Sequence, residues 1–179
     1  MSRIGKMPIV IPNGVTVTIN NDEITATGPK GTLTHGIHKF VAVNIDNNVI
    51  HVTKNSNSDK ASAFWGLYRQ IINNMVIGVS EGYQKRLVIN GVGYKLNLKS
   101  PEHVVLNIGF SHPVEVKAEK GITFDVEKNI LIVKGVNKEL VGKAASGIKD
   151  LKPVEPYHFY GIYYENEKLR KKEVKTGKK

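Results

Sequence analysis

Apolar and polar positions alternate along this chain in blocks, and the blocks predict its elements. Val15, Val17 and Ile19 alternate with threonine, Asn20-Asn21-Asp22 follow, and EITATG (23–28) returns. A period of two puts alternate side chains on one face, so this stretch predicts an antiparallel hairpin. Asn and Asp suit its turn because they tolerate left-handed backbone and bond locally. VNI (43–45), Asp46-Asn47-Asn48 and VIHVT (49–53) predict a second hairpin. From Asp59 the spacing changes to three and four. Phe64, Leu67, Tyr68, Ile71, Ile72 and Met75 fall on one side of a helix over DKASAFWGLYRQIINNMV (59–76), with Asp59 as its N-cap.

The same order then recurs. KLNLK (95–99) and HVVLNIG (103–109) predict one strand pair. TFDV (123–126) and ILIVK (130–134) predict another, turning at Glu127-Lys128-Asn129. VNKELVGKAASGIKDL (136–151) predicts a helix capped by Asn137 and ended by Lys152-Pro153. A shift of 81 residues lays one half on the other: Val43 on Phe124, Ile45 on Val126, NNVIHVT (47–53) on KNILIVK (128–134), Gly28 on Gly109 and Gly66 on Gly147. The alternation stays in phase, which matters because a one-residue slip would invert every strand's buried face. The expected fold is α+β: two tandem similar domains, each a small antiparallel sheet with one packed helix, plus a basic C-terminal tail. The expected boundaries are 1–81, 82–152 and an extension over 153–179, with IGVSEGYQKRLVIN (77–90) as a short connection.

Composition narrows the function classes. At 179 residues and 40% apolar content the chain suits one or two small domains with buried cores. It has no cysteine, which removes disulfides, thiol nucleophiles and thiolate metal sites. MSRIGKMPIVIPNG is interrupted by Pro8 and Pro12 and does not read as a secretory signal. No apolar run approaches the roughly 18 residues that span a bilayer, so a soluble intracellular protein is expected. The net charge is +10, with a pI near 9.7. Residues 1–81 hold 7 Lys+Arg against 5 Asp+Glu, 82–167 hold 12 against 10, and 168–179 hold 7 against 1. The excess is concentrated at the end, as in a solubilising tail or a polyanion-binding arm.

Candidate chemistry points away from catalysis. GVGYKL (91–96) lacks the third glycine of a dinucleotide fingerprint and precedes a strand, so it reads as a strand entry or bulge. GPKG (28–31) is a turn presenting Lys30, His35 and His38 lack a third metal ligand, and Ser146 lies outside any nucleophile elbow. No catalytic residue, metal site, cofactor or small-molecule substrate is expected. Polyanion binding is better served. Lys85 and Arg86 sit at the domain junction, Ser111 and His112 in the loop GFSHPV, and Lys143, Lys149 and Lys152 on or after the second helix. Tyr157, His158, Phe159, Tyr160, Tyr163 and Tyr164 precede a tail with Lys168, Arg170, Lys171, Lys172, Lys175, Lys178 and Lys179. Aromatic rings stack on bases, and Lys and Arg neutralise phosphate. The same rings could instead pack inward on a strand folded back onto the second domain. A membrane surface is the weaker alternative, since the tail is no amphipathic apolar helix and no lipidation signal is visible.

Several stretches together resemble one family, ribosomal protein six of the bacterial large subunit. They are SRIGKMPIVIPNGV, GPKGTL, NNMVIGVSEGYQKRLVINGVGYKL, GFSHPVEV and PVEPYHFYGI, in the family's order and over nearly the whole chain. The resemblance implies two α+β domains and a structural, non-enzymatic role in the cytoplasmic ribosome. It implies binding to large-subunit rRNA near the sarcin–ricin region and stalk base, beside neighbouring ribosomal proteins and close to translation factors. It carries rRNA contact to Gly91, Gly93, Tyr94, Lys95, Ser111, His112, Lys149, Lys152, Tyr157 and the tail. A general RNA-binding module outside the ribosome is the alternative. Lys149 and Lys152 stand where the family pattern has arginines. The family also reads Pro-Glu-Pro-Tyr-Lys-Gly-Lys-Gly-Ile where this chain has PVEP and then His158-Phe159-Tyr160 before Gly161-Ile162.

Overall fold

The alternating stretches form antiparallel hairpins, and each half of the chain divides them between two sheets. The structure is a computed structural model, and it describes residues 2–20, 22–55 and 59–173. The described residues fall into two units. One runs to Gly82 and takes in Val136–Lys138; the other comprises Tyr83–Gly135 and the chain from Glu139 onward.

The first unit contains β1 (Ile9–Val10), β2 (Thr16–Asn20), β3 (Glu23–Gly28), β4 (Gly31–Gly36), β5 (Val41–Asp46), β6 (Val49–Lys54) and α1 (Asp59–Ser80). One sheet has the order β1-β6-β5 and the other β2-β3-β4. Ile24, Ala26, Ile50 and Val52 from the strands meet Ile72, Met75, Val76 and Val79 of α1 in one core. The helix is longer than its sequence pattern predicts. Val76 and Val79 continue the stripe from Ile72 and Met75 at spacings of three and four, so burial carries the helix on to Ser80. Leu67, expected on the buried face, is 52% exposed, because it lies off that stripe. The cap expected at Asp59 lies outside the described side chains.

The second unit contains β7 (Tyr83–Asn90), β8 (Lys95–Ser100), β9 (His103–Asn107), β10 (Val114–Lys117), β11 (Ile122–Glu127), β12 (Ile130–Gly135), α2 (Lys138–Leu151) and β13 (Gly161–Tyr164). Its sheets have the orders β10-β9-β8 and β11-β12-β7-β13. The stretch 77–90, expected as a connection, ends α1 and then supplies an interior strand. Leu87 and Ile89 alternate into the core, and β7 is hydrogen-bonded on both sides. The duplication extends to register. Every β5–β6 pair, from Val41↔Lys54 to Asp46↔Val49, recurs 81 residues later in β11–β12, from Ile122↔Gly135 to Glu127↔Ile130.

The second half adds a strand with no counterpart among the described residues of the first. β13 pairs with β7 from Gly161↔Asn90 to Tyr164↔Leu87, and Ile162 is fully buried in the second core. Gly161 has φ +141, and a Cβ there would lie 2.7–2.9 Å from the backbone of Val154, Pro153 and Lys152. Only glycine allows the chain to pass that close before it enters the sheet.

Candidate nucleic-acid interface

Among the described residues, the second unit's cations divide into those held by carboxylates and those left free. Arg86, on β7, reaches Glu127 at 2.9 Å and Glu165 at 2.8 Å. Its protonation is reinforced, chiefly by the hydrogen bond to Glu127. Lys149, on α2, donates to both carboxylate oxygens of Glu167 at 2.8 Å. That bond, with the Tyr164 N–H, holds the Glu167 carboxyl below its usual range. Lys143 pairs with Glu119 at 2.9 Å, which strengthens its own hold on its proton. Each of these three cations, all candidates for phosphate contact, already has a carboxylate partner within the fold.

Others carry no such partner among the described residues. Lys85 is exposed, with its ammonium 5.5 Å from the Tyr164 ring centre. Lys95 is exposed at the start of β8. Lys152 lies 4.9 Å over the ring of Phe110. Phe110 is 44% exposed, and the His112 ring lies nearly parallel to it at 6.2 Å. Ser111 is exposed between them. The sequence pattern singled out Ser111, His112 and Lys152 but missed Phe110. Its signal was a large ring next to Gly109 in a loop between strands, where no alternation demands burial. Lys168, Arg170, Lys171 and Lys172 are exposed, and the Lys172 N–H donates to the Pro156 carbonyl at 3.0 Å. Lys175, Lys178 and Lys179 lie outside the described residues.

Gly91 and Gly93 shape this surface through the backbone. The Tyr94 N–H closes a turn on the Gly91 carbonyl at 3.2 Å, and Gly93 has φ +75. A Cβ on Gly91 would lie 2.5 Å from the Tyr94 ring, so the glycine lets that ring fold back onto the second core. Lys95 is thereby turned out beside a fixed tyrosine.

The loop after Pro156 sorts its rings. The Glu155 carboxylate accepts the N–H groups of Tyr157 and His158 and faces His158 Nδ1 at 3.1 Å. Its partial desolvation pushes its pKa up, but the His158 and Tyr157 N–H groups outweigh this and hold it below the usual value. The Glu155 N–H donates to the Tyr160 carbonyl at 3.0 Å, closing the loop. Tyr157, His158 and Tyr160 are exposed, with His158 and Tyr160 nearly parallel at 5.4 Å. Phe159, Tyr163 and Tyr164 are half-buried. Phe159 has φ +60, and Asn90 Nδ2 donates to its carbonyl at 3.0 Å.

In the first unit, the His38 ring stacks on Phe64 at 4.3 Å and His35 meets the edge of Tyr68 at 5.7 Å, so both histidines are packed against rings. Among the described residues, no group of three or more His, Cys, Asp or Glu side chains could hold a metal ion. No helix there is long and apolar enough to cross a membrane.

A duplicated α+β chain that presents free cations beside exposed rings has the make-up of a structural, polyanion-facing protein. A family model described as ribosomal protein L6 matches residues 11–82 and 90–165, one match in each half. The chain is 48% identical over 180 residues to the large ribosomal subunit protein uL6 of Clostridium acetobutylicum, covering 99% of this chain and 100% of that one. It is 50% identical over 179 residues to the protein of the same name from Listeria welshimeri, with the same coverage. This chain belongs to the ribosomal protein L6 family, whose members are structural and not enzymatic.

Proposed function

We propose that this chain is a structural constituent of the cytoplasmic large ribosomal subunit. It binds large-subunit rRNA near the sarcin–ricin region and stalk base, and so supports the region where translation factors dock. The observation that carries this reading is the coincidence, in the second unit and its C-terminal segment, of unneutralised cations and exposed rings. Among the described residues, Lys85, Lys95, Lys152, Lys168, Arg170, Lys171 and Lys172 stand free of carboxylates, while Phe110, His112, Tyr157, His158 and Tyr160 are exposed. Lysines and arginines gain affinity by releasing counterions from phosphate, and rings fix placement by stacking on unpaired bases. Arg86, Lys143 and Lys149, neutralised internally, hold the surface in shape. Gly91 and Gly93 set its turn. Lys175, Lys178 and Lys179 extend the charge along the tail. The first unit, nearly balanced in charge, contacts protein neighbours or remains exposed.

A crosslink map of lysines and tyrosines in assembled large subunits tests this. rRNA crosslinks are expected at Lys95, Lys152, Tyr157 and the tail, with few in residues 1–81. Crosslinks confined to the first unit would overturn the assignment. Equal competition by unrelated RNA at physiological salt would favour a general RNA-binding module instead.

A further inference from the structure

We propose a phosphate-binding pocket between β8 and the β11–β12 turn, with Lys128 and Asn129 as contacts that neither the sequence pattern nor the family resemblance singles out. A concavity of about 230 Å³ opens there. Lys95 and Asn97 of β8 form one wall, and Lys128 and Asn129 of the turn form the other. Ile89 and Tyr94 contribute apolar lining.

No carboxylate lines this pocket, and neither lysine makes an ion pair among the described residues. The neighbouring lysines behave differently. Lys99, also on β8, pairs with Glu115 at 2.7 Å, and Lys134, on β12, pairs with Asp125 at 2.9 Å. Two lysines without ion pairs among the described residues therefore line one concavity, and an anion entering it would be attracted by both. Asn97 and Asn129 add neutral amide donors, and lysines bind phosphate as point charges.

Backbone hydrogen bonds tie both walls into the fold. The Asn129 carbonyl accepts the Ile89 N–H at 2.9 Å, tying the turn to β7. Lys128 has φ +56, the left-handed backbone of the tip of the turn. The Gly91–Tyr94 turn holds the other side. The ligand class is a phosphate, here a backbone phosphate of large-subunit rRNA, and that occupant rests on the function proposed above.

The test is the salt dependence of large-subunit rRNA binding by the full chain. Lys95→Gln and Lys128→Asn should each lower the log–log slope by about 0.7–0.9. Asparagine at 128 retains the left-handed backbone that alanine would strain. Lys99→Gln and Lys134→Gln, removing lysines already paired, should leave the slope unchanged. Lys95 and Lys128 should also resist acetylation in assembled subunits. Unchanged slopes for both pocket variants, with Lys128 still reactive in the subunit, overturn the pocket while a slope lowered by tail truncation keeps the rRNA reading. If truncation also leaves the slope unchanged, the rRNA reading falls with it. If inorganic phosphate shifts the Asn97 and Asn129 side-chain amides in NMR while the rRNA slopes stay unchanged, RNA is overturned as the occupant.

Discussion

Lys149 and Glu167 form a two-pronged ion pair, with both carboxylate oxygens 2.8 Å from one ammonium. The pair ties α2 to the chain just beyond β13, at the start of the basic tail. The same lysine lies 5.0 Å over the Tyr164 ring, and the Tyr164 N–H donates to Glu167 at 3.1 Å.

This tie should respond to acid. Glu167 is held below the usual carboxylate range, chiefly by Lys149. A depressed folded value means the stabilisation is complete above the ordinary carboxylate pKa and disappears as pH falls through the depressed one. We expect Lys149→Gln to raise the Glu167 titration toward the ordinary value, read from carboxyl-carbon NMR against pH. Because its charge is already neutralised, Lys149→Gln should alter the rRNA salt slope less than Lys152→Gln does.

Phe110 and Lys152 should separate stacking from charge. If Lys152 neutralises a phosphate as proposed, Lys152→Gln should lower the salt slope by about 0.7–0.9. If the Phe110 ring stacks on a base, Phe110→Ala should weaken binding by about 1–3 kcal/mol with the slope intact. Filter binding across a salt series measures both. A lowered slope for Phe110→Ala would show that the ring acts through Lys152 and not by stacking.

The tail makes the larger electrostatic claim. Deleting Lys168–Lys179 removes 7 cations and 1 acid. If about six phosphates lose their contacts, the slope should fall by about 4–5. An unchanged slope would remove the tail from the binding surface.

Phe159 occupies left-handed backbone at φ +60, a region costly for any residue with a Cβ. Phe159→Ala loses the ring and keeps the strain, whereas Phe159→Gly loses both. In urea unfolding we expect the glycine variant to be the more stable of the two by about 1 kcal/mol. Equal stabilities would mean the loop relaxes once the ring is gone.

Ile162 tests whether the C-terminal segment belongs to the second core. It is fully buried beside Ile89, its partner across β7–β13. Ile162→Ala should destabilise the protein by about 2–5 kcal/mol, as expected for a buried large-to-small change.

Much of the architecture was legible in the sequence because strand and helix patterns are local. Period-two alternation marked the hairpins, and the in-phase repeat anticipated the shared register of β5–β6 and β11–β12. The stretch 77–90 was harder to read. Its glycines suggested a connection, and only the neighbouring strands make Tyr83–Asn90 an interior strand. Leu67 fits a helical period, but helix–sheet contact selected a neighbouring stripe. At the candidate site, the sequence identified the residue types without their state. It could not sort Tyr157, His158 and Tyr160 from Phe159, Tyr163 and Tyr164, because a closed loop held by Glu155 decides which rings face outward.

By itself the sequence determined the α+β class, the duplication and the concentration of charge at the C-terminus. Each follows from residue order and composition, which act over a few neighbouring positions or over the chain as a whole. Tertiary structure alone decided which cations remain available. Arg86 meets Glu127 from 41 positions away, and Lys149 meets Glu167 from 18. Lys95 and Lys128 converge on one pocket without an acid. Charge compensation depends on distance in space, and folding sets that distance independently of separation along the chain.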